Sequence, residues 1–174
     1  MKKILSDKLT LYKTSTFPLY SKKKSNKKHL VTVGIGGNIG NVTKTFNKLL
    51  LSLKENTKFD ILITSPILQN PPFGYLNQND FLNAIITIKT NLGPNEFLKH
   101  MQRLEYRFGR KRSFQDAPRT LDIDIIFFDD KYINTKKLIV PHKDWANRES
   151  VIIPLNLMKK TNRIHKLYKI KKGK

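Results

Sequence analysis

The most constraining feature of this sequence is the stretch PRTLDIDIIFFDD at residues 118–130. Its apolar run is typical of a buried β-strand, yet Asp122 and Asp124 interrupt it. Because burying a carboxylate without a partner is costly, a strand that keeps two of them needs a counter-charge or a ligand. The question is what this strand holds.

Successive side chains of a strand point to opposite faces of the sheet. We therefore expect the two aspartates on one face, together with two further residues of the strand, Ile126 and Phe128. The other face is wholly apolar and should pack against helices; its members are Leu121, Ile123, Ile125 and Phe127.

Two carboxylates about 7 Å apart along one strand repel each other unless a cation lies between them. Mg²⁺ is the natural candidate, since it accepts a few carboxylates and keeps positions for phosphate oxygens and water. A polar, solvent-facing strand without a metal is the alternative that the D-x-D pattern leaves open.

Strand and helix patterns alternate along the rest of the chain. Strands are predicted at 30–36, 59–67, 81–89 and 120–128, helices at 41–54 and 93–109, and a loop at 70–80. The order β-α-β-β-α-β predicts an α+β, ferredoxin-like fold: an antiparallel sheet with both helices on one face and the other face free for a site. A C-terminal extension follows, with a helix predicted within 144–158.

Basic residues cluster just before the D-x-D strand. Residues 103–119 contain five arginines and one lysine, and Arg119 lies three positions before Asp122. Guanidinium groups beside a carboxylate metal site suit a polyphosphate ligand. His142 lies in a second basic stretch and is a candidate hydrogen-bond donor to a phosphate.

Two further patterns concern small residues and rings. The glycines of GIGGNIG (34–40) lack the spacing of a dinucleotide fingerprint and of a P-loop, so we interpret them as a strand-to-helix turn. Phe81 and Asn83 share a face of their strand, and an aromatic ring beside an amide suits a flat heterocycle.

The formal net charge of +21 is concentrated at the two ends. We divide the chain into a basic N-terminal extension (1–29), a central domain (30–158) and a basic C-terminal tail (159–174). Nucleic-acid binding is an alternative that only these basic ends leave open, and we favour packing of their aromatic residues on the domain. The absence of cysteine excludes disulfides and thiolate chemistry. No apolar run is long enough to span a bilayer. We expect a cytoplasmic monomer.

Together these stretches resemble the 6-hydroxymethyl-7,8-dihydropterin pyrophosphokinases, enzymes of folate biosynthesis. The resemblance covers about residues 30–158 and rests on four ordered blocks. These are GGNIGN (36–41), NPPFG…NDFLNA (70–84), QRLEYRFGRKR…PRTLDIDIIFF (102–128) and VPHKDWANR (140–148).

The resemblance implies transfer of pyrophosphate from ATP to the hydroxymethyl group of the pterin, with release of AMP. Two Mg²⁺ ions would be held by Asp122 and Asp124, and these aspartates would act in catalysis with Arg110 and Arg119. The positions implied around ATP are Gln102, Glu105, Arg110, Arg112, Arg119, Ile125, His142 and Arg148. Those implied along the pterin are Asn70, Pro71, Pro72, Phe73, Phe81 and Asn83.

The sequence departs from the family pattern at one stacking position. Ser150 stands where the family usually has a second aromatic ring against the pterin, and Trp145 and Phe114 are candidates to replace it. Two rival functions use the same fold or the same paired aspartates. A palm-type nucleotidyl transferase would need a third carboxylate on a neighbouring strand, and an RNA-binding module would carry aromatics rather than aspartates on the open face.

Overall fold

The computed structural model describes residues 1–22, 24–111, 114 and 116–158. They form an α+β structure with an open antiparallel sheet and three helices. The helices are α1 (Val42–Glu55), α2 (Pro94–Arg107) and α3 (Glu149–Leu157). The strands are β1 (Lys2–Ser6), β2 (Leu9–Tyr12), β3 (Leu19–Tyr20), β4 (His29–Gly37), β5 (Phe59–Thr64), β6 (Ile67–Asn70), β7 (Phe81–Thr90), β8 (Asp122–Phe128), β9 (Ile133–Asn134) and β10 (Ile139–Val140).

The elements predicted within 30–158 are present, with one strand divided. The predicted strand 59–67 ends at Thr64, and β6 begins at Ile67, because Pro66 has no N–H to give to a ladder. Asn41 caps α1 by accepting a hydrogen bond from the Lys44 backbone N–H. Pro94 occupies the first turn of α2, where its missing N–H costs nothing.

The main sheet runs β1-β2-β6-β7-β4-β8, and β7 also pairs with β5, which in turn pairs with β3. Every pairing is antiparallel. The N-terminal residues belong to this sheet, since β2 pairs with β6. Phe17 is fully buried in the main core, as expected for an aromatic that packs on the domain.

Two apolar clusters lie on opposite faces of the sheet. Helices α1 and α2 pack on one face, where Phe46 and Phe97 contact strand residues such as Ile86. Helix α3 packs on the other, where Leu155 joins a cluster with Ile85. The expectation that the second face is free was therefore wrong in part, because α3 covers some of it.

The predicted faces of β8 are right for its first residues and wrong at its end. Ile123 and Ile125 pack under α1 and α2, as expected, but Phe128 lies in that cluster and Phe127 lies in the cluster with α3. A β-bulge causes the exchange: Thr32 pairs with Phe127, the next residue of β4 pairs with Ile125, and Ile126 is the extra residue between them. No helix in the described part of the chain is long and apolar enough to cross a membrane.

Candidate active site

A cavity of about 580 Å³ opens on the face that α3 leaves partly uncovered. Its walls come from β4, β6, β7, β8, the start of α3 and the loops beside them. The lining residues are Lys8, Gly34, Ile35, Gly36, Asn70, Pro71, Pro72, Phe73, Phe81, Asn83, Ala84, Asp116, Arg119, Asp122, Asp124, Ile126, Asn147, Arg148, Glu149, Ser150 and Val151. We call Asp122 and Asp124, with the arginines that contact them, the carboxylate side. Asn70, Phe73, Phe81 and Asn83 form the ring side.

On the carboxylate side, each aspartate lies opposite a glycine of the neighbouring strand. Asp124 pairs across the sheet with Gly34, and Asp122 pairs with Gly36. Since glycine has no side chain, side chains of other strands lie over these positions: a Cβ on Gly34 would be 3.3 Å from Ile126 Cδ1, and one on Gly36 would be 2.7 Å from Asn83 Oδ1. The glycines predicted as a turn thus have a second role, which becomes visible only from the register between β4 and β8.

Two arginines hold Asp122 from both sides. Arg119 Nη1 donates to Asp122 Oδ2 at 2.7 Å, and Arg110 Nη1 lies 2.5 Å from Asp122 Oδ1. Arg110 also forms an ion pair with Glu105. The side-chain Nε–H groups of Arg119 and Arg148 are buried and have no hydrogen-bond partner among the described residues. Two unpaired buried donors at one cavity fit an anionic ligand.

Asp124 has a pKa above the ordinary value of an aspartate. Burial, followed by repulsion from Asp122, raises its pKa to about 6. A bound cation would relieve both effects. Among the described residues no group of three or more His, Asp or Glu side chains could hold a metal ion. Two carboxylates alone fit Mg²⁺, which takes its remaining oxygens from phosphate and water.

Glu105 lies beneath β8 rather than in the cavity. It is buried, and one of its carboxylate oxygens accepts a hydrogen bond from the Ile123 backbone N–H at 2.7 Å. Burial raises the pKa of Glu105 to about 7, against the opposing effects of this hydrogen bond and of Arg110. Glu105 therefore joins the backbone of β8 to the guanidinium that contacts Asp122.

The backbone of Arg119 is fixed by the glycine segment. A Cβ on Gly37 would lie 2.7 Å from the Thr120 carbonyl oxygen, so only glycine permits this approach. The backbone N–H of Asn38 donates to the Arg119 carbonyl at 2.9 Å, and the Arg119 N–H donates to Asn38 Oδ1 at 2.9 Å. The Asn38 amide also donates to Gln78 Oε1 at 2.8 Å. Asn38 thus ties the loop before Asp122 to the loop of the ring side.

The ring side combines two amides with two aromatic rings. Asn83 Nδ2 donates to Asn70 Oδ1 at 2.7 Å, and Asn83 Oδ1 lies over Gly36, where a Cβ would come within 2.7 Å of it. The guanidinium of Arg119 lies 5.3 Å from the centre of the Phe81 ring, and that of Arg148 lies 5.5 Å from the centre of Phe73. Each ring is thus paired with an arginine of the same cavity.

Comparison with known proteins shows the family of this chain. Residues 32–160 match the family model described as 7,8-dihydro-6-hydroxymethylpterin-pyrophosphokinase (HPPK). The chain belongs to the HPPK family. It is 43% identical to 2-amino-4-hydroxy-6-hydroxymethyldihydropteridine pyrophosphokinase of Helicobacter pylori over 81% of this chain and 88% of that protein. It is 41% identical to the Campylobacter jejuni protein of the same name (84% and 93% covered) and 34% identical to that of Aquifex aeolicus (80% and 85%).

Most of the residues that the HPPK resemblance implies are brought to one cavity. Those that line it are Asn70, Pro71, Pro72, Phe73, Phe81, Asn83, Arg119, Asp122, Asp124 and Arg148. Arg110 contacts the lining residue Asp122, whereas Glu105 lies behind the cavity and contacts Arg110 and the backbone of β8. Arg112 lies outside the described residues, as does the predicted basic tail 159–174.

Three of the implied ATP positions do not line this cavity. Gln102 is exposed on α2, and Ile125 is buried under α1 and α2. His142 is half-buried, and its backbone N–H donates to the Ile126 carbonyl at 3.0 Å. Burial and the Arg148 charge lower the pKa of His142, so its imidazole is neutral near pH 7.

The candidates for a second ring at Ser150 also lie elsewhere. Trp145 is buried against Phe127, with ring centres 5.0 Å apart, in the cluster under α3. Phe114 is exposed and packs edge-on against Tyr75. Neither lines the cavity, whereas Ser150 does. The sequence reasoning missed Asn38 and Lys8, because neither carries a local signal of its role.

Proposed function

We propose that this chain transfers pyrophosphate from ATP to the hydroxymethyl group of 6-hydroxymethyl-7,8-dihydropterin and releases AMP. One observation carries the proposal. A single cavity joins paired carboxylates and arginines, suited to a triphosphate, with amides and rings suited to a flat heterocycle. The names of the relatives from three bacteria support the same substrates. We infer a monomer that acts in the cytoplasm.

Asp122 and Asp124 hold two Mg²⁺ ions in this proposal. Their hard oxygen donors and the raised pKa of Asp124 suit a small divalent cation. When bound, the ions offset the negative charge of the triphosphate. The protein contributes the position of the two carboxylates, which β8 fixes through its pairing with β4.

The arginines bind the phosphates. Arg119 and Arg110 both bind Asp122, and the Nε–H of Arg119 has no acceptor within the part of the chain that the structure describes. A triphosphate gives these guanidinium groups better acceptors and frees Asp122 for the cation. Arg148 approaches from the start of α3. By resemblance, Gln102, Glu105, Arg112, Ile125 and His142 also belong to the ATP site.

The transfer is a displacement at the β-phosphorus of ATP. The pterin hydroxyl oxygen forms a new bond to this phosphorus, the bond from it to the α,β-bridging oxygen breaks, and AMP leaves with that oxygen. The hydroxyl proton passes to water. Because such transfers have a loose transition state, positioning and electrostatic stabilisation account for most of the acceleration. Arg110 and Arg119 supply the positive charge beside the reacting phosphoryl group.

The ring side holds the pterin between two aromatic faces. Asn70, Pro71 and Pro72 form the edge of this site, and Asn83 hydrogen-bonds to the heterocycle. Phe81 and Phe73 are the aromatic residues among those that line the cavity, so Phe73 takes the stacking role that Ser150 cannot fill. Arg119 and Arg148, which lie beside these rings, are also the cations of the proposed phosphate site.

The fold assignment is part of the same proposal. The strand order β8-β4-β7-β5 within the sheet, with α1 and α2 on one face, supports a ferredoxin-like arrangement of the central strands. In that description α3 is a C-terminal addition that closes part of the open face.

The deciding experiment is an assay for the products. The protein is incubated with ATP, MgCl₂ and the reduced hydroxymethylpterin, and AMP and the pterin diphosphate are separated by chromatography. We expect equimolar AMP and pterin diphosphate, and no AMP when the pterin is omitted. Release of inorganic pyrophosphate instead would indicate a nucleotidyl transferase and would overturn the proposal.

A further inference from the structure

The cavity has one wall from the N-terminal hairpin formed by β1 and β2. In the pairing of β2 with β6, Thr10 lies opposite Gln69 and Leu11 lies opposite Leu68. Continuing this register places Lys8, the last residue of the turn, beside Pro71. Lys8 lines the cavity together with Asn70 and Pro71. The hairpin lies outside residues 32–160, which match the HPPK family.

The position of Lys8 across the sheet indicates which part of a substrate it meets. From β8 to β2 there are four interstrand spacings, or about 19 Å. Lys8 is therefore remote from Asp122 and Asp124, whereas Arg119 and Arg148 are the cavity cations near them. The reacting hydroxymethyl group of the pterin has to lie at the carboxylate side. The fused pyrimidine ring then extends the opposite way, over β7 and β6 and toward Lys8.

The pyrimidine ring requires a hydrogen-bond donor there. The relatives' name specifies a 2-amino-4-hydroxy ring, and in its keto form the 4-oxygen is an acceptor. Each of the two amides on this wall gives one N–H to a protein acceptor and keeps one for the substrate: Asn83 donates to Asn70, and Asn70 donates to the Pro71 carbonyl at 2.8 Å. Lys8 offers three donors, and within the described residues no carboxylate forms an ion pair with it.

We propose that Lys8 is a substrate-binding residue, and that its ammonium group donates a hydrogen bond to the 4-oxygen of the pterin. This assignment rests on the proposed function. It gives the N-terminal hairpin a part in selecting the heterocycle, beyond its part in extending the sheet.

The first test measures pterin binding to the full chain by titration, with Mg²⁺ and a non-hydrolysable ATP analogue present. Lys8→Met keeps the length of the side chain and removes its charge, so the Kd for the pterin should rise about ten-fold. Lys8→Arg should remain within about two-fold of the parent, because it still donates. Lys3→Met is the matched control, since Lys3 is exposed on the same hairpin and does not line the cavity. The Kd of the ATP analogue and the Tm should be the same in all four proteins.

The second test replaces the 4-oxygen of the pterin by an amino group, which turns an acceptor into a donor. The parent should bind this analogue more weakly than the 4-oxo compound. In Lys8→Met the ratio of the two Kd values should shrink about ten-fold, because the residue that reads the oxygen is gone.

Each other outcome is decisive as well. Equal pterin affinity in Lys8→Met and the parent would overturn the Lys8 assignment while leaving the proposed function intact. If Lys8→Met loses the same affinity for both compounds, Lys8 only shapes the wall. If Lys3→Met loses as much pterin affinity as Lys8→Met, the effect comes from the folding of the hairpin. Both results contradict the hydrogen bond. A parent that binds no pterin at all would overturn the proposed function, and the role of Lys8 with it.

Discussion

The carboxylate side and the ring side of the cavity are assembled in different ways. Arg119 and Asp122 are three residues apart, and they form a partly buried ion pair. The ring side joins β6, β7 and the loop between them, and Phe73 is 74% exposed. The first side is therefore preformed by charge and hydrogen bonds, whereas the second depends on an exposed ring. We expect changes on the carboxylate side to affect turnover and changes on the ring side to affect substrate binding.

The largest effect is expected from Asp124→Asn. Loss of one metal-binding carboxylate should lower kcat about 1000-fold, comparable to removal of a strong electrostatic group from other active sites. The fold should not suffer, because the change also removes a buried negative charge beside Asp122. Product assays and circular dichroism measure the two effects. Asp130→Asn, on the exposed turn after β8, is the control. Activity of Asp124→Asn near that of the parent would contradict the metal assignment.

Asn38→Ala should affect both turnover and substrate binding, because Asn38 binds the loops of both sides. The change removes three side-chain hydrogen bonds and leaves the Arg119 N–H without its acceptor. We expect the free energy of unfolding to fall by about 2 kcal/mol, with turnover and pterin affinity both reduced.

Asn41→Ala is the matched control for this prediction. It removes the α1 cap, which costs about 1 kcal/mol, but should leave catalysis intact. Denaturant unfolding and steady-state kinetics distinguish the two variants. Normal turnover in Asn38→Ala would show that the two loops hold their positions independently.

The pH dependence of cation binding tests the carboxylate side alone and requires no mutation. The pKa of Asp124 is about 6, above its ordinary value of 3.8. As the pH rises from 3.8 to 6, the unfolded chain loses this proton before the folded chain does, so the free energy of unfolding decreases. Cation binding requires the ionised form and should therefore weaken as the pH falls below 6. Between pH 7.5 and pH 5 we expect about a ten-fold loss of affinity, which follows from a one-unit distance below that pKa.

Mn²⁺ without nucleotide is a suitable probe, because its paramagnetic resonance reports the free ion directly. In Asp124→Asn the remaining affinity should show little dependence on pH in this range. An affinity for Mn²⁺ that does not change between pH 7.5 and pH 5 in the parent would contradict the role of Asp124.

The sequence predicts the carboxylate side well because its determinants are local. The D-x-D pattern and the arginine three residues earlier lie in one short stretch, and strand alternation is enough to bring both aspartates to one face. The exchange of Phe127 and Phe128 was not predictable in this way, because a bulge depends on the partner strand. The cover provided by α3, the bonds of Asn38 and the position of Lys8 likewise depend on contacts between segments far apart in the chain.

The smallest effects concern the second ring. Phe73→Ala should weaken pterin binding about five- to ten-fold, at the lower end of the range for a lost stacking partner, because Phe73 is largely exposed. The Kd of an ATP analogue should change less, through loss of the contact between Phe73 and Arg148 alone. Phe114→Ala is the control, since Phe114 packs on Tyr75 outside the cavity.

Ser150→Phe tests whether the usual family position is available in this chain. Ser150 lines the same cavity, so a ring placed there should restore about half of the binding energy lost in Phe73→Ala. In the parent the same substitution should change pterin affinity by less than about three-fold, because Phe73 already covers that face of the heterocycle. Pterin titrations of the two single variants and the double variant measure this coupling. Strictly additive effects of the two substitutions would mean that Phe73 and position 150 contact different parts of the substrate, and that Phe73 is not the second ring.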